Sequence, residues 1–298
     1  MRYTGSWTNA VVLLALLAAG CRLPFRDGSV PQSVTDCRRL SQQGVAALER
    51  GQQESAETLL AKAVAACPAD GEAHRNYAEA FWRRGARKEA IDQLQQASRL
   101  MGEDAALSVR LAEMQLADNQ IEPARQNAEQ ALALDPKLPG AWAIRGGVLR
   151  AAGQPQQALA DYLRALGYAP SDRTILLEIA ELHRQLNQPD RALHTLQTLA
   201  DTYSPGEEPG QVLYLTGMAY RALGRHDDSL ESLKAAVARG KPTPEMLYGL
   251  GEAQWLAGRP TEAAAAARQA LALQPQHQPS RALLDRIELA QRPQGTVK

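Results

Sequence analysis

Small and hydrophobic residues recur along the chain at a fixed interval of 34 residues. Repeat starts at 37, 71, 105, 139 and 173, and at 210 and 244 after three additional residues, align seven units without any other gap. A period of this length predicts a solenoid, in which each short unit buries its apolar face against the next one. The seven units are 37–70, 71–104, 105–138, 139–172, 173–206, 210–243 and 244–277.

Three positions of each unit hold small residues. The eighth position has only Gly or Ala: Gly44, Ala78, Ala112, Gly146, Ala180, Gly217 and Gly251. The twentieth has Ala in six units and Ser in one: Ala56, Ala90, Ala124, Ala158, Ala192, Ser229 and Ala263. The twenty-seventh has Ala in all units but one: Ala63, Ala97, Ala131, Ala165, Leu199, Ala236 and Ala270. Small side chains let helix backbones approach closely, so these positions predict a helix–helix contact in every unit.

Two further positions carry signals that end helices. The fifteenth holds only Gly or Asn, which tolerate positive φ: Gly51, Gly85, Asn119, Gly153, Asn187, Gly224 and Gly258. The thirty-second holds Pro in four units: Pro68, Pro136, Pro170 and Pro275. Each unit is therefore predicted to be a helix, a turn, a second helix and a stop.

This pattern resembles the tetratricopeptide repeat, whose signature has a small residue at position eight, Ala at twenty and twenty-seven, and Pro at thirty-two. The fourth unit shows it best, with Trp142, Gly146, Ala158, Tyr162, Ala165 and Pro170. The resemblance implies an all-α, right-handed α-solenoid of seven helix-turn-helix repeats. Residues 278–291 are predicted to form a helix that caps it, and 292–298 a disordered tail. The longer junction at 201–210 is a candidate bend or hinge.

The first 36 residues have a different character. Residues 1–20 contain one charge, Arg2, before an apolar run from Val11 to Ala19, which is the order of a secretory signal. The run is short for a membrane-spanning helix, which needs about 20 apolar residues. Residues 21–36 lack a helical period and are predicted to be a flexible tether.

The end of this signal resembles the lipobox of bacterial lipoproteins, because the small residues Ala18, Ala19 and Gly20 precede Cys21. The resemblance implies that Cys21 is acylated and becomes the new N-terminus. An uncleaved anchor and an ordinary cleaved signal remain alternatives. By the same resemblance, Arg22 after the cysteine favours the outer membrane, where the protein would face the periplasm.

The chain has two further cysteines, Cys37 and Cys67, which open and close the first repeat. Because its two helices run antiparallel, these ends are expected to lie side by side. A disulfide would stabilise the terminal repeat by about 3–4 kcal/mol in the chain-entropy model. Two separate buried thiols are the alternative.

Composition removes several classes of function. The chain has 33 Lys and Arg and 33 Asp and Glu, so it lacks the basic excess typical of nucleic-acid binding. The five histidines have no metal-site spacing, and no motif for a catalytic nucleophile or a phosphate loop occurs. We therefore expect no catalytic residues, no metal, no cofactor and no small-molecule substrate.

In tetratricopeptide arrays, positions including five, nine and twelve of each first helix face a concave groove. Here these positions carry charged and aromatic residues: Glu79, Trp82, Glu113, Arg150, Arg184, Tyr214, Arg221, Tyr248 and Trp255. Arginine and aromatic residues are common at binding hot spots. The hypothesis is a peptide groove in which acidic groups of a partner meet the three arginines and an apolar side chain meets the tyrosines and Trp255. The alternative for Arg184 is a simple pair with Glu181 on a solvated helix face.

These features favour a non-enzymatic, lipid-anchored scaffold that binds other proteins in the bacterial envelope. An adaptor of the pilotin or chaperone type, for a secretion, pilus or outer-membrane assembly system, is the second possibility. An accessory subunit of a cell-wall or polysaccharide-synthesis enzyme is the third. The shape of a solenoid does not distinguish among them.

Overall fold

The computed structural model describes residues 32–291, which form fifteen α-helices and no strand. The predicted signal, Cys21, most of the tether and the tail at 292–298 lie outside the described residues. The helices are α1 (Gln32–Glu49), α2 (Gln53–Ala66), α3 (Gly71–Arg84), α4 (Arg87–Met101), α5 (Ala105–Ala117), α6 (Ile121–Leu134), α7 (Pro139–Ala151), α8 (Pro155–Tyr168), α9 (Arg173–Gln185), α10 (Pro189–Ala200), α11 (Gly210–Ala222), α12 (His226–Ala238), α13 (Pro244–Leu256), α14 (Pro260–Leu273) and α15 (Gln278–Gln291).

The helices pack in antiparallel pairs, one pair for each repeat, and each second helix packs against the first helix of the next pair. First helices of neighbouring repeats also contact each other, for example α1 with α3 and α11 with α13. The odd-numbered helices therefore lie side by side on the inner face of a solenoid, as the repeat pattern predicts. Within residues 32–291, no helix is both long and apolar enough to cross a bilayer.

The turn between the two helices of each repeat has the predicted backbone. All seven residues at the fifteenth position have positive φ: Gly51, Gly85, Asn119, Gly153, Asn187, Gly224 and Gly258. Among the described residues, Asn119 and Asn187 are the only residues other than Gly with positive φ. The predicted left-handed cap is therefore confirmed in every repeat.

The small positions form the contact within each pair. Residues at the twentieth and twenty-seventh positions are all buried, including Ser229 and Leu199. A Cβ atom added to Gly44 or Gly146 would come within 3 Å of Leu60 or Tyr162 on the facing helix. The predicted close approach of the two helices is confirmed.

Polar caps fix where several first helices begin. The side chains of Asp70, Asp104, Asp172 and Thr243 accept hydrogen bonds from backbone N–H groups in the first turns of α3, α5, α9 and α13. The three carboxylates also lie at the positive ends of these helix dipoles. These caps position the inner face relative to the second helices.

The structure corrects the predicted end of the tether. Helix α1 begins at Gln32, five residues before the predicted repeat start, so residues 32–36 are helical. Asp36 pairs with Arg39 at 3.1 Å, one turn along the helix. An i,i+3 ion pair of this kind supports helix here.

The junction after α10, the candidate bend or hinge, contacts the helices on both of its sides. Its loop, residues 201–209, is held on one side by Arg173, which lies over the Tyr203 ring at 4.0 Å. On the other side Arg239 contacts Glu208 at 3.5 Å. One hydrophobic cluster continues from α10 across the junction into α11 and includes Leu199 at the position where other repeats have Ala. The larger leucine side chain fills the space at this longer junction.

Helix α15 covers the last repeat with one face. Leu283 and Ile287 are buried against Ala263, Ala264 and Ala267 of α14. The opposite face carries exposed charged residues, among them Arg281, Asp285 and Glu288, and the exposed Leu289. A helix with one apolar and one largely polar face is what the end of a solenoid requires.

The close approach of helices predicts opposite effects for two glycines of the fourth repeat. A Cβ at Gly146 would lie 2.8 Å from the Tyr162 ring, whereas a Cβ at Gly167 in α8 would meet nothing within 4 Å. We expect Gly146→Ala to destabilise the protein by about 1–3 kcal/mol through overpacking. Gly167→Ala should stabilise it by about 0.5–1 kcal/mol because it removes backbone freedom in a helix.

Urea unfolding followed by circular dichroism measures both effects against the wild-type midpoint. Equal midpoints for the two variants would contradict close packing at position eight.

Candidate functional site

The predicted groove residues lie on six first helices, α3 to α13, and thus on the inner face. All nine carry side chains that are at least partly exposed. The sequence did not indicate how many of these side chains already contact side chains of neighbouring repeats.

At the N-terminal side of the groove, Arg110 connects two of the predicted glutamates. Its guanidinium donates two hydrogen bonds to Glu79, at 2.7 and 2.8 Å, and one to Glu113, at 2.8 Å. It also lies over the Trp82 ring, 5.6 Å from the centroid. Hydrogen bonding to Glu79 above all raises the pKa of Arg110. One positive charge is thus shared by two carboxylates, and the donors of Arg110 face these partners.

In the middle of the groove, Arg150 of α7 reaches across to Glu178 of α9. Glu178 Oε2 lies 2.8 Å from Arg150 Nη1 but accepts no well-aligned hydrogen bond. Burial raises the pKa of Glu178, although the charge of Arg150 opposes the shift. Because the pKa stays raised, the guanidinium compensates the loss of carboxylate hydration only in part.

The other two predicted arginines are paired as well, and they differ in exposure. Arg184 donates from Nε to Glu181 on its own helix at 2.8 Å, which is the pair expected for a solvated helix face. Arg221 pairs with Glu252 of the next repeat. The Arg150 and Arg184 side chains are 39% and 47% exposed, whereas Arg221 is 25% exposed.

The aromatic residues line the C-terminal part of the groove. Burial and, next, a hydrogen bond with Glu252 raise the pKa of Tyr248 to about 12. Burial also raises the pKa of Tyr214. Trp255 packs against the capping helix, where Arg286 lies 5.8 Å from the centroid of its ring. These rings are therefore partly used by the fold itself.

Three residues of this surface were not among the predicted groove residues: Arg110, Glu178 and Arg286. Arg110 and Glu178 both occupy the sixth position of their repeats, three before the column that holds the glutamates. Pairing columns of adjacent repeats for opposite charge would have identified Arg110 with Glu79 and Arg150 with Glu178.

The two cysteines of the first repeat lie together, as predicted, and no disulfide joins them in the structure. Cys37 is buried and donates a hydrogen bond to Asp70 at 3.4 Å. Burial, followed by hydrogen bonds with Cys67 and Asp70, raises the pKa of the Cys37 thiol to about 12. Cys67 is half-exposed and lines a cavity of about 720 Å³ at the N-terminal end of the solenoid. The disulfide stays a prediction.

No metal centre accompanies this surface. Within residues 32–291, no group of three or more His, Cys, Asp and Glu side chains is placed to hold a metal ion. The chemistry that the inner face offers is ion pairing, hydrogen bonding and apolar contact.

The family model for the tetratricopeptide repeat matches residues 41–106, 145–208, 177–243 and 214–277, which together span most of the solenoid. The chain belongs to the tetratricopeptide repeat family. Proteins of this family are generally non-catalytic scaffolds that bind other proteins or peptides. No curated relative matches the chain.

Three solved structures with the same fold share little sequence with this tetratricopeptide repeat protein. A tetratricopeptide repeat protein from Parabacteroides merdae has 16% identity and a TM-score of 0.64, over 85% of this chain and 99% of its own. PilW, a type IV pilus biogenesis factor, has 18% identity and a TM-score of 0.62, over 68% of this chain and 92% of its own. PilF of Pseudomonas aeruginosa has 20% identity and a TM-score of 0.59, over 68% and 90%. At such identities the likeness establishes the fold alone.

The thiol environments predict an order of alkylation in the reduced protein. Cys67 should react with iodoacetamide first, since Cys37 is buried and its pKa of about 12 leaves it protonated at pH 8. Raising the pH toward 12 should speed the reaction of Cys37 as its thiolate forms. Mass spectrometry of peptides taken at successive times measures both rates.

The same assay tests the bridge. In protein isolated from an oxidising compartment without reductant and then unfolded, neither cysteine should be alkylated. Alkylation of both would reject the disulfide.

Proposed function

We propose that this protein is a non-enzymatic interaction scaffold that binds a segment of a partner protein along its inner face. The observation that carries the proposal is the pair of exposed guanidinium groups on successive repeats, Arg150 and Arg184. Acidic groups of the bound segment would contact these two arginines.

Neither arginine uses all of its N–H donors in its ion pair. Arg150 contacts Glu178 through Nη1, and Arg184 contacts Glu181 through Nε. A guanidinium has five N–H donors, so each retains several that these glutamates do not use. The glutamates are the more buried partners, at 24% and 22% exposure, and so the outer layer of this part of the groove is positively charged.

The remaining predicted contacts have secondary parts in this proposal. Arg221 is paired with Glu252 and less exposed, so it would contribute less than the other two arginines. Tyr214, Tyr248 and Trp255 would supply apolar surface at the C-terminal end of the segment. Glu79 and Glu113 are held by Arg110 and would disfavour acidic groups on the N-terminal side.

We further propose that the protein is anchored to the bacterial envelope through acylated Cys21, with the solenoid in the periplasm. The support is the sequence of the first 21 residues, which lie outside the described residues. Two or three acyl chains hold a protein firmly at a membrane, whereas a single chain does so only marginally.

An adaptor role in pilus assembly is the second candidate. It is favoured by the fold likeness to PilW and PilF, both over about two thirds of this chain. A role as an accessory subunit of a cell-wall or polysaccharide-synthesis enzyme remains a third proposal. Genes adjacent to this one, or proteins captured from envelope extracts, would distinguish among the three roles.

The double variant Arg150→Gln/Arg184→Gln tests the groove. We expect it to weaken capture of the partner from native cell extracts at least tenfold, since a hydrogen bond to a charged group contributes about 1.5–3 kcal/mol. The control Arg125→Gln/Arg191→Gln removes the same charge from the second helices α6 and α10. Quantitative mass spectrometry of the captured proteins measures the effect, and equal loss in both variants would contradict the proposal.

The anchor is tested separately with Cys21→Ser. This substitution removes the acceptor thiol, so the protein should move from the membrane fraction to the soluble fraction after cell lysis. Immunoblots of the two fractions measure the distribution, with Cys67→Ser as the control. Retention of Cys21→Ser at the membrane would favour an uncleaved N-terminal helix.

A further inference from the structure

The inner face has an open recess in the third and fourth repeats. A cavity of about 600 Å³ lies here between α5 and α7, at the turn that leads into α6. Its walls are the partly buried side chains of Leu116, Ile121 and Ile144. Apolar side chains therefore face solvent in a recess between helices.

The opening has a local cause in side-chain size. At the ninth position, where four other repeats have Glu, the fourth repeat has Gly147. A Cβ at Gly147 would lie 2.8 Å from Leu116, so the glycine also lets α7 approach α5. At the thirteenth position, Ala117 and Ala151 are exposed and line the cavity. Larger residues occupy this position in four other repeats, namely Glu49, Arg83, Gln185 and Leu256, and the sixth repeat has Ala222.

The two sides of the cavity carry opposite charge. Glu113 lies on the α5 side, and Arg150 lies on the α7 side beside Gln185. Arg150 pairs with one carboxylate, whereas Arg110 next to Glu113 makes three hydrogen bonds to two carboxylates. A carboxylate of a bound segment is therefore favoured on the Arg150 side and disfavoured on the Glu113 side.

We infer that this cavity receives one large apolar side chain of the bound partner segment, with an acidic residue of that segment beside it at Arg150. The inference rests on the proposed function and adds the chemistry that the segment must have. The cavity has room for a leucine or phenylalanine side chain, and Arg150 sets the direction in which the segment lies. Burying such a side chain is worth about 10- to 100-fold in affinity.

The test uses dodecapeptides selected from a random phage-displayed library against the full wild-type chain in detergent. The expected peptides share a large apolar residue with Asp or Glu within three positions on one side only. Ala151→Leu, which places a side chain in the cavity, should weaken their binding at least tenfold by fluorescence anisotropy. The matched control Ala222→Leu places the same side chain at the thirteenth position of the sixth repeat, outside the cavity, and should change the affinity less than twofold.

Each outcome has a separate meaning. If the selected peptides bind Ala151→Leu as tightly as the wild type, the cavity inference is wrong and groove binding stands. If the wild type selects no peptides, both the proposed function and the inference fail. Circular dichroism melting should show equal stability for the two leucine variants. If Ala151→Leu is unstable, Ala117→Leu, which fills the same cavity from α5, gives the deciding comparison.

Discussion

The close approach of two antiparallel helices within each repeat is the contact on which the rest of this molecule depends. This approach requires small side chains at two positions of each repeat. The twentieth position holds Ala, or Ser in the case of Ser229, and the eighth holds Gly or Ala. Burial of Ala contributes little hydrophobic free energy per residue, so stability comes from many tight contacts repeated along the solenoid. The aromatic content of 5% follows from this way of packing. The capping helix is needed because each repeat buries its apolar face only against a neighbour.

The first helices pack closely on one face only, so the side chains on their groove-facing side are available for other contacts. On this surface the charges pair mainly between repeats: Arg110 with Glu79, Arg150 with Glu178, and Arg221 with Glu252. Partly exposed pairs of this kind contribute about 0–1 kcal/mol each. A partner can therefore take over an arginine at small cost to the fold, which is why pairing within the chain is compatible with a binding surface. Among these pairs, the loss of carboxylate hydration is compensated least at Glu178, because this carboxylate is half-buried and its pKa is raised.

The repeat architecture followed from the sequence because its determinants are local and recur seven times. The left-handed turn needs Gly or Asn, and the helix contact needs Ala or Gly, whatever the neighbours are. The ion pairs of the inner face could not be identified in the same way, since Arg150 and Glu178 are 28 positions apart and meet through the stacking of repeats. The start of α1 was misplaced because residues 32–36 lack apolar periodicity, and the ion pair of Asp36 with Arg39 lies beyond the first turn. The contacts of Arg173 and Arg239 with the junction at 201–209 could not be predicted from its Pro and Gly content, which resembles that of a linker.

Selectivity on such a surface can arise from missing side-chain volume as much as from the side chains that are present. Every repeat offers the same backbone, so one repeat differs from the next only in the side chains that point inward. Trp82 and Trp255 fill the inner face near its two ends, while Gly147, Ala117 and Ala151 leave it open between them. An opening that accepts an apolar side chain excludes segments with a charge at that point, because burying an unpaired charge is costly. The exposed Arg150 beside it then favours one direction of the bound segment. A loss of side-chain volume at three positions thus gives a repetitive solenoid a defined place for contact in its third and fourth repeats.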